Sequence, residues 1–143
     1  MILFFSTCFG APFMVHHPMK YAELLKNKIM RYGVNCWLLN TGWVGGPYGI
    51  GKRISIRNTR TLLDAALTGT LLDVEYYEDP IFGFTVPKSC PEVPEEVLYP
   101  AQRWPSEDEY WHKYKQLAAR FIDNFKKFAP ACPPEVIKAG PKI

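Results

Sequence analysis

Prolines at positions 80, 87, 91, 94 and 100 set the hardest limit on what this chain can fold into. A proline gives no amide to a helix or a central strand and bars the helical conformation from the residue before it, so no long regular element survives between Leu71 and Arg103. The stretch admits one short strand, Phe82-Gly83-Phe84-Thr85-Val86, and otherwise reads as packed surface loops.

Long elements must therefore lie on either side. Pro18 suits the first turn of a helix reaching about Tyr32, with Tyr21, Leu24, Leu25, Lys28, Ile29 and Tyr32 at helical spacing and Gly33 as the stop. Val34 to Leu39 is short, largely apolar and follows a helix, which predicts a buried strand; Asn40 to Gly51 is then a glycine-rich connection at its carboxyl end, where ligands sit in open α/β sheets. Lys52 to Arg57 alternates as a second strand, with Arg53, Ser55 and Arg57 on one face. Asn58 or Thr59 is placed to cap a helix carrying Leu62, Leu63, Ala66 and Leu67, with Thr61-x-x-Asp64 a weaker option and Gly69 at its end. In the last helix Ser106 and Glu109 form a capping box, Trp104 can staple Tyr110, and the stripe Tyr114, Leu117, Ala118, Phe121, Ile122, Phe125 and Phe128 continues to Pro130.

Gly46-Pro47-Tyr48-Gly49-Ile50-Gly51-Lys52 fits the G-x-x-x-x-G-K frame of a phosphate loop, yet Arg53 stands where Ser or Thr would bind magnesium. A phosphate loop also opens a helix, whereas a strand-like alternation follows here, so the run is not expected to grip a triphosphate.

A chain of 143 residues with 48% hydrophobic side chains forms one domain with a real core and excludes disorder. Net charge of +3 makes no demand for nucleic acid, although Lys52, Arg53, Arg57 and Arg60 form a local basic excess suited to a phosphorylated ligand or to solvent. Cys8, Cys36, Cys90 and Cys132 lack zinc spacing and indicate a reduced, intracellular chain. Met1-Ile2-Leu3-Phe4-Phe5 is apolar but too short to span a membrane and lacks the basic start of an export signal.

No catalytic or metal residue emerges. Adjacent His16 and His17 do not converge on one ion, and one of them is better used to cap the helix at Pro18. His112 has no visible nucleophile, Cys8 fits a buried thiol better than a nucleophile, and Asp79, Glu92, Glu95, Glu96, Glu107 and Asp108 serve capping and solubility. Arg53 is the strongest candidate for ligand contact. Its planar guanidinium can lie over an aromatic base, backbone groups around Ile54 can read the base edge, and the Thr59 hydroxyl can bond to a nucleotide.

Four segments in order, Phe5-Ser6-Thr7-Cys8-Phe9-Gly10-Ala11-Pro12-Phe13, His17-Pro18-x-Lys20-Tyr21-Ala22-Glu23, Asn40-Thr41-Gly42-Trp43 and Gly49-x-Gly51-Lys52-Arg53-Ile54-Ser55-Ile56-x-x-Thr59-Arg60, together with a closing Ala139-Gly140-Pro141-Lys142, resemble ATP-dependent phosphoenolpyruvate carboxykinases. The resemblance covers nearly the whole chain and implies the carboxyl-terminal piece of a longer enzyme, cytoplasmic by expectation, with an organellar location left open if the true amino terminus is missing. It implies an α/β fold in which residues 1–143 are a single partial domain, part of a mononucleotide-binding domain, with an incomplete sheet and flanking helices. The implied reaction converts oxaloacetate and ATP to phosphoenolpyruvate, carbon dioxide and ADP with magnesium and manganese, in gluconeogenic or fermentative metabolism. Carried onto this chain, Arg53 and Ile54 lie beside the adenine-ribose end of ATP and Thr59 also meets the nucleotide. The family's phosphate loop, metal ligands and oxaloacetate-binding residues have no counterpart here, so the chain is expected to be inactive alone. Val34 to Leu39, deprived of sheet neighbours, predicts association or loose packing. The alternative is a non-catalytic remnant or interaction module with weak or no nucleotide binding. Neither a nucleic acid nor a membrane is expected as a partner.

Overall fold

The computed structural model describes residues 11–143. The apolar start, the first residues of the Ser6–Pro12 loop and Cys8 lie outside the described residues; Ala11–Phe13 forms a 3-10 turn.

Helix α1, Pro18–Tyr32, has Pro18 in its first turn and the His17 ring as cap, Nδ1 accepting from the Met19 amide at 3.3 Å. Gly33 closes it in the left-handed conformation at φ +59°, its amide bonded to the Ile29 carbonyl at 2.9 Å. The helix matches the sequence reading, but it has no buried residue. Its contacts with the rest lie near the carboxyl end of the chain: His17 edge-on to Phe128 at 6.0 Å, Met19 sulfur against the Cys132 thiol at 3.2 Å, and Lys26 with Glu135 at 3.8 Å.

Val34 to Leu39 corrects the expectation of a buried strand. It is without regular structure and exposed, Leu38 by 81%, because among the described residues no strand offers it a ladder of hydrogen bonds. Strands form where a local turn supplies the partner. β1, Trp43–Val44, pairs antiparallel with β2, Lys52–Arg53, across the glycine run, and β3, Tyr76–Glu78, pairs antiparallel with β4, Thr85–Pro87. The fold is thus mixed α and β, and the described residues form two separate two-stranded sheets where one incomplete sheet was expected.

β2 also ends earlier than its alternation suggests, because Ser55 caps helix α2, Ile56–Leu67, by accepting the Asn58 amide at 3.1 Å. Asn58 and Thr59 are therefore inside the helix, and Arg57 is a helical residue that shares no strand face with Arg53. After a 3-10 turn at Thr70–Asp73 and the second hairpin come helix α3, Glu95–Leu98, and a 3-10 turn at Pro100–Arg103.

Helix α4, Glu107–Phe125, begins as predicted: Ser106 Oγ accepts the Glu109 amide at 3.3 Å, and Trp104 meets Tyr110 edge to face at 5.7 Å. It ends before Phe128, which sits in the turn leading to a 3-10 segment at Ala129–Ala131, and helix α5, Pro134–Lys138, follows.

The core lies where sequence reasoning placed surface loops. Leu62 and Ala65 of α2 pack with Leu71, Cys90, Val93, Val97 and Leu98, the last five all from the stretch that runs from Leu71 to Arg103. Prolines bar long elements but not burial, and each Leu or Val side chain here gains about 1.5–3 kcal/mol by leaving water. Asp79 joins this body to α4. It is 9% exposed; Oδ1 accepts the amides of Ile81 at 3.0 Å and Phe82 at 2.6 Å, and Oδ2 accepts the Tyr114 hydroxyl at 2.8 Å. The Phe82 ring, set by that turn, packs tilted on Tyr114 at 5.1 Å and edge-on to Phe121 at 5.5 Å.

Burial, reinforced by the Asp79 and Tyr77 charges, pushes the Tyr110 phenol up to about 12. Burial and the bond to Asp79 hold Tyr114 well above the ordinary tyrosine range, and burial raises Tyr77. The unfolded chain releases these protons near 10 and the folded chain keeps them longer, so their contribution is complete below pH 10 and is lost as pH rises toward 12. Denaturant midpoints should fall steadily between pH 10 and about 12, with a fraction of the phenolate absorbance at 295 nm appearing only with unfolding; flat stability across that window would contradict the buried tyrosine cluster.

Candidate nucleotide-edge site

The corner formed by β2, Ser55 and the first turn of α2 carries the residues singled out by sequence. β1 and β2 are joined through a tight turn in which the amides of Ile50 and Gly51 both reach the Pro47 carbonyl, at 3.0 and 2.9 Å. The turn leads into a strand, as the alternation after Gly51 requires, and not into a helix. Gly51 is essential to the close approach of the two backbones: a Cβ there would fall on the Gly46 carbonyl and lie 2.9 Å from that of Val44.

Arg53 ends β2 with an exposed side chain that makes no ion pair or ring contact among the described residues. Its guanidinium is therefore available to a ligand. Ile54 follows, half-buried, its amide donating to the Gly42 carbonyl at 3.1 Å. That bond corrects one detail of the sequence reading: a base edge would meet the Ile54 carbonyl or side chain, since the amide is already committed. Thr59 lies in α2, half-buried, with its amide bonded to the Ser55 carbonyl at 3.0 Å and its hydroxyl unpartnered among the described residues.

The three residues share this corner but not one cavity. Ile54 lines a groove of about 360 Å3 between the first hairpin and α4, with Trp43, Trp104, Tyr110 and Leu117 among its walls, whereas Arg53 and Thr59 do not line it. A larger groove of about 730 Å3, between residues 35–38 and the second hairpin, includes none of the three.

Of the basic excess, Arg57 reaches Glu92 at 3.7 Å with both side chains largely in water, and Lys52, Arg53 and Arg60 have no ion partner among the described residues. Such a corner holds a positive field that attracts anions within roughly 10 Å at ordinary ionic strength. His17 caps α1, His112 is exposed and bonded to Gln116 at 2.8 Å, and no group of three or more His, Cys, Asp or Glu among the described residues could hold a metal.

Sequence reasoning missed Trp43. The register sets it opposite Arg53, half in solvent and edge-on to Tyr48 at 5.5 Å, so the two residues share one face of the ribbon. The signal was present: a turn centred at Tyr48 pairs positions whose numbers sum to 96, as 43 and 53 do.

A family model described as phosphoenolpyruvate carboxykinase matches residues 2–96. The chain is 53% identical over 124 residues to a phosphoenolpyruvate carboxykinase (ATP) of Alkaliphilus oremlandii, covering 87% of this chain and 24% of that protein. It is 51% identical over 138 residues to one of Caldanaerobacter subterraneus, covering 96% of this chain and 26% of that protein, and 44% identical over 137 residues to one of Dictyostelium discoideum, covering 96% and 24%. The chain thus spans about a quarter of the length of the curated relatives it matches.

Replacing Gly51 by Ala should force the two strands apart at a cost of about 1–3 kcal/mol. Hydrogen exchange of the Ile54 amide, protected by Gly42, should accelerate; unchanged protection would show that the turn does not position this corner.

Proposed function

The chain belongs to the phosphoenolpyruvate carboxykinase family, and from that membership we propose that it forms the adenine-ribose edge of the ATP site in a complete enzyme. In that reading residues 1–143 are part of a mononucleotide-binding α/β domain. The complete enzyme is a cytoplasmic carboxy-lyase that takes oxaloacetate and ATP to phosphoenolpyruvate, carbon dioxide and ADP. The observation that carries the proposal is the free Arg53 guanidinium at the end of a strand whose backbone is pinned, through Ile54, to Gly42.

In the proposed role Arg53 stacks on the base and contributes about 1–2 kcal/mol, Ile54 packs at its edge, and the Thr59 hydroxyl donates to the ribose or accepts from it. The hairpin makes this useful by fixing the backbone from which the guanidinium projects, so less main-chain freedom is lost on binding. Phosphoryl transfer requires groups that hold the phosphates and metal ions and stabilise the charge that develops between donor and acceptor. The described residues contain no cluster fitted to a metal, so the magnesium and manganese of the reaction are assigned to the remaining portion of the enzyme, and no step is derived through them. That portion is the partner this chain requires. The exposed α1 stripe and Val34 to Leu39 are the surfaces it would cover. No helix among the described residues is long and apolar enough to cross a membrane.

Two outcomes test the role. In a chimera where this chain replaces the matching quarter of the Alkaliphilus oremlandii protein, Arg53→Ala should raise the ATP dissociation constant about five- to thirtyfold while leaving oxaloacetate binding within about twofold. Equal weakening of both ligands, or of neither, would sink the assignment. The 143-residue chain alone should give no phosphoenolpyruvate from oxaloacetate and ATP in a coupled assay, and turnover above background would overturn the division of labour proposed here.

A further inference from the structure

A cavity of about 200 Å3 lies between the end of β3, the turn after Tyr99 and the first turn of α4. Four aromatic rings, Tyr77, Tyr99, Tyr110 and Trp111, and two carboxylates, Asp79 and Glu107, stand in its wall. Tyr77 and Tyr99 stack at 4.8 Å with 14° between their planes, and Tyr110 and Trp111 meet at 5.0 Å and 79°, making a flat aromatic side and an aromatic corner. The walls are held by the protein itself, since the Tyr77 hydroxyl donates to the Leu98 carbonyl at 2.9 Å and Tyr110 is wedged between Trp104 and Tyr114.

The charge of this cavity is one-sided. Asp79 is buried, and its oxygens are solvated by two amides and a phenol but by no cation; neither Asp79 nor Glu107 belongs to any ion pair among the described residues. Burial raises the nearby Tyr77, Tyr110 and Tyr114 phenols, and the Asp79 charge adds to it. The amino terminus of α4 carries about half a positive charge, but Glu107, Asp108 and Glu109 in its first turn outweigh it, and Arg103 does not line the cavity.

The geometry points to a binding site for a small organic ammonium ion, lodged against the four rings with its charge toward Asp79 and Glu107. Ring faces attract a cation through their quadrupole, and with the Asp79 oxygens and the Tyr77 hydroxyl already engaged Glu107 is the one carboxylate in the wall left to coordinate, which favours a weakly hydrated alkylammonium over a metal ion. The Asp79 oxygens, already engaged by three donors, act on such a ligand as a fixed charge and not as coordinating groups.

Tetramethylammonium is the probe. Titrated into the 143-residue chain, it should show a saturable upfield shift of its methyl protons from the ring currents and a matching shift of the Trp111 indole N–H. The neutral tert-butanol, of similar shape, should show neither. Glu107→Gln, at an exposed first-turn position that leaves the rings in place, should weaken binding about three- to tenfold. Where the isolated chain associates, the same titration on the chimera decides the matter. A linear, unsaturable response, an equal response to tert-butanol, or unchanged affinity in Glu107→Gln would overturn the site.

Discussion

The Asp79 carboxylate ties together the two halves of the described structure. It accepts two amides from its own turn and one hydroxyl from a helix 35 residues further on, and a bond to a charged group is worth about 1.5–3 kcal/mol. A carboxylate this buried must be solvated by protein, so the turn and α4 are not free to move apart. The Phe82 ring consequently packs between Tyr114 and Phe121, and the amide of Lys142 closes on the Ile81 carbonyl at 2.8 Å, bringing the end of the chain onto the same turn. The aromatic cavity lies beside the same carboxylate, and burial together with its charge raises the Tyr114 phenol.

A second constraint works in the opposite direction. The chain spans about a quarter of its relatives' length, and apolar surface is open on α1 and on Val34 to Leu39. α1 is well capped at both ends, yet Leu25 and Met30 are exposed by 59% and 74%. Val34 to Leu39 has strand chemistry without strand partners. Local hydrogen bonds and caps complete α1 without neighbours, whereas a buried strand takes its hydrogen bonds from other segments and has none here.

Those two cases explain most of what could be read in advance. Pro18, Gly33, Ser106 and the Trp104–Tyr110 staple act within a turn or two of chain, and each was legible. The start of α2 was misplaced by three or four residues because Ser55 reads equally well as a strand residue and as a cap, and only the Asn58 amide distinguishes them. Burial in the proline-rich stretch was missed for a different reason: proline reports on hydrogen bonding and says nothing about which side chains face inward. At the candidate site, Arg53, Ile54 and Thr59 were named from residue type and resemblance; Trp43 beside Arg53 required knowing the register of the hairpin.

By itself the sequence determined α1 and the start of α4 with their caps, the interruption of regular structure by proline and the family to which the chain belongs, because each rests on residue identity at short range or on an ordered set of motifs. Only the tertiary structure decided that Asp79 is a buried anchor and not a solubilising surface charge, that Ile54 has spent its amide on Gly42, and that four distant aromatic residues enclose a space with two carboxylates. These depend on which remote groups arrive at the same place, and the free energy of a charge or an amide is set by the donors and acceptors that surround it after folding, not by its neighbours along the chain.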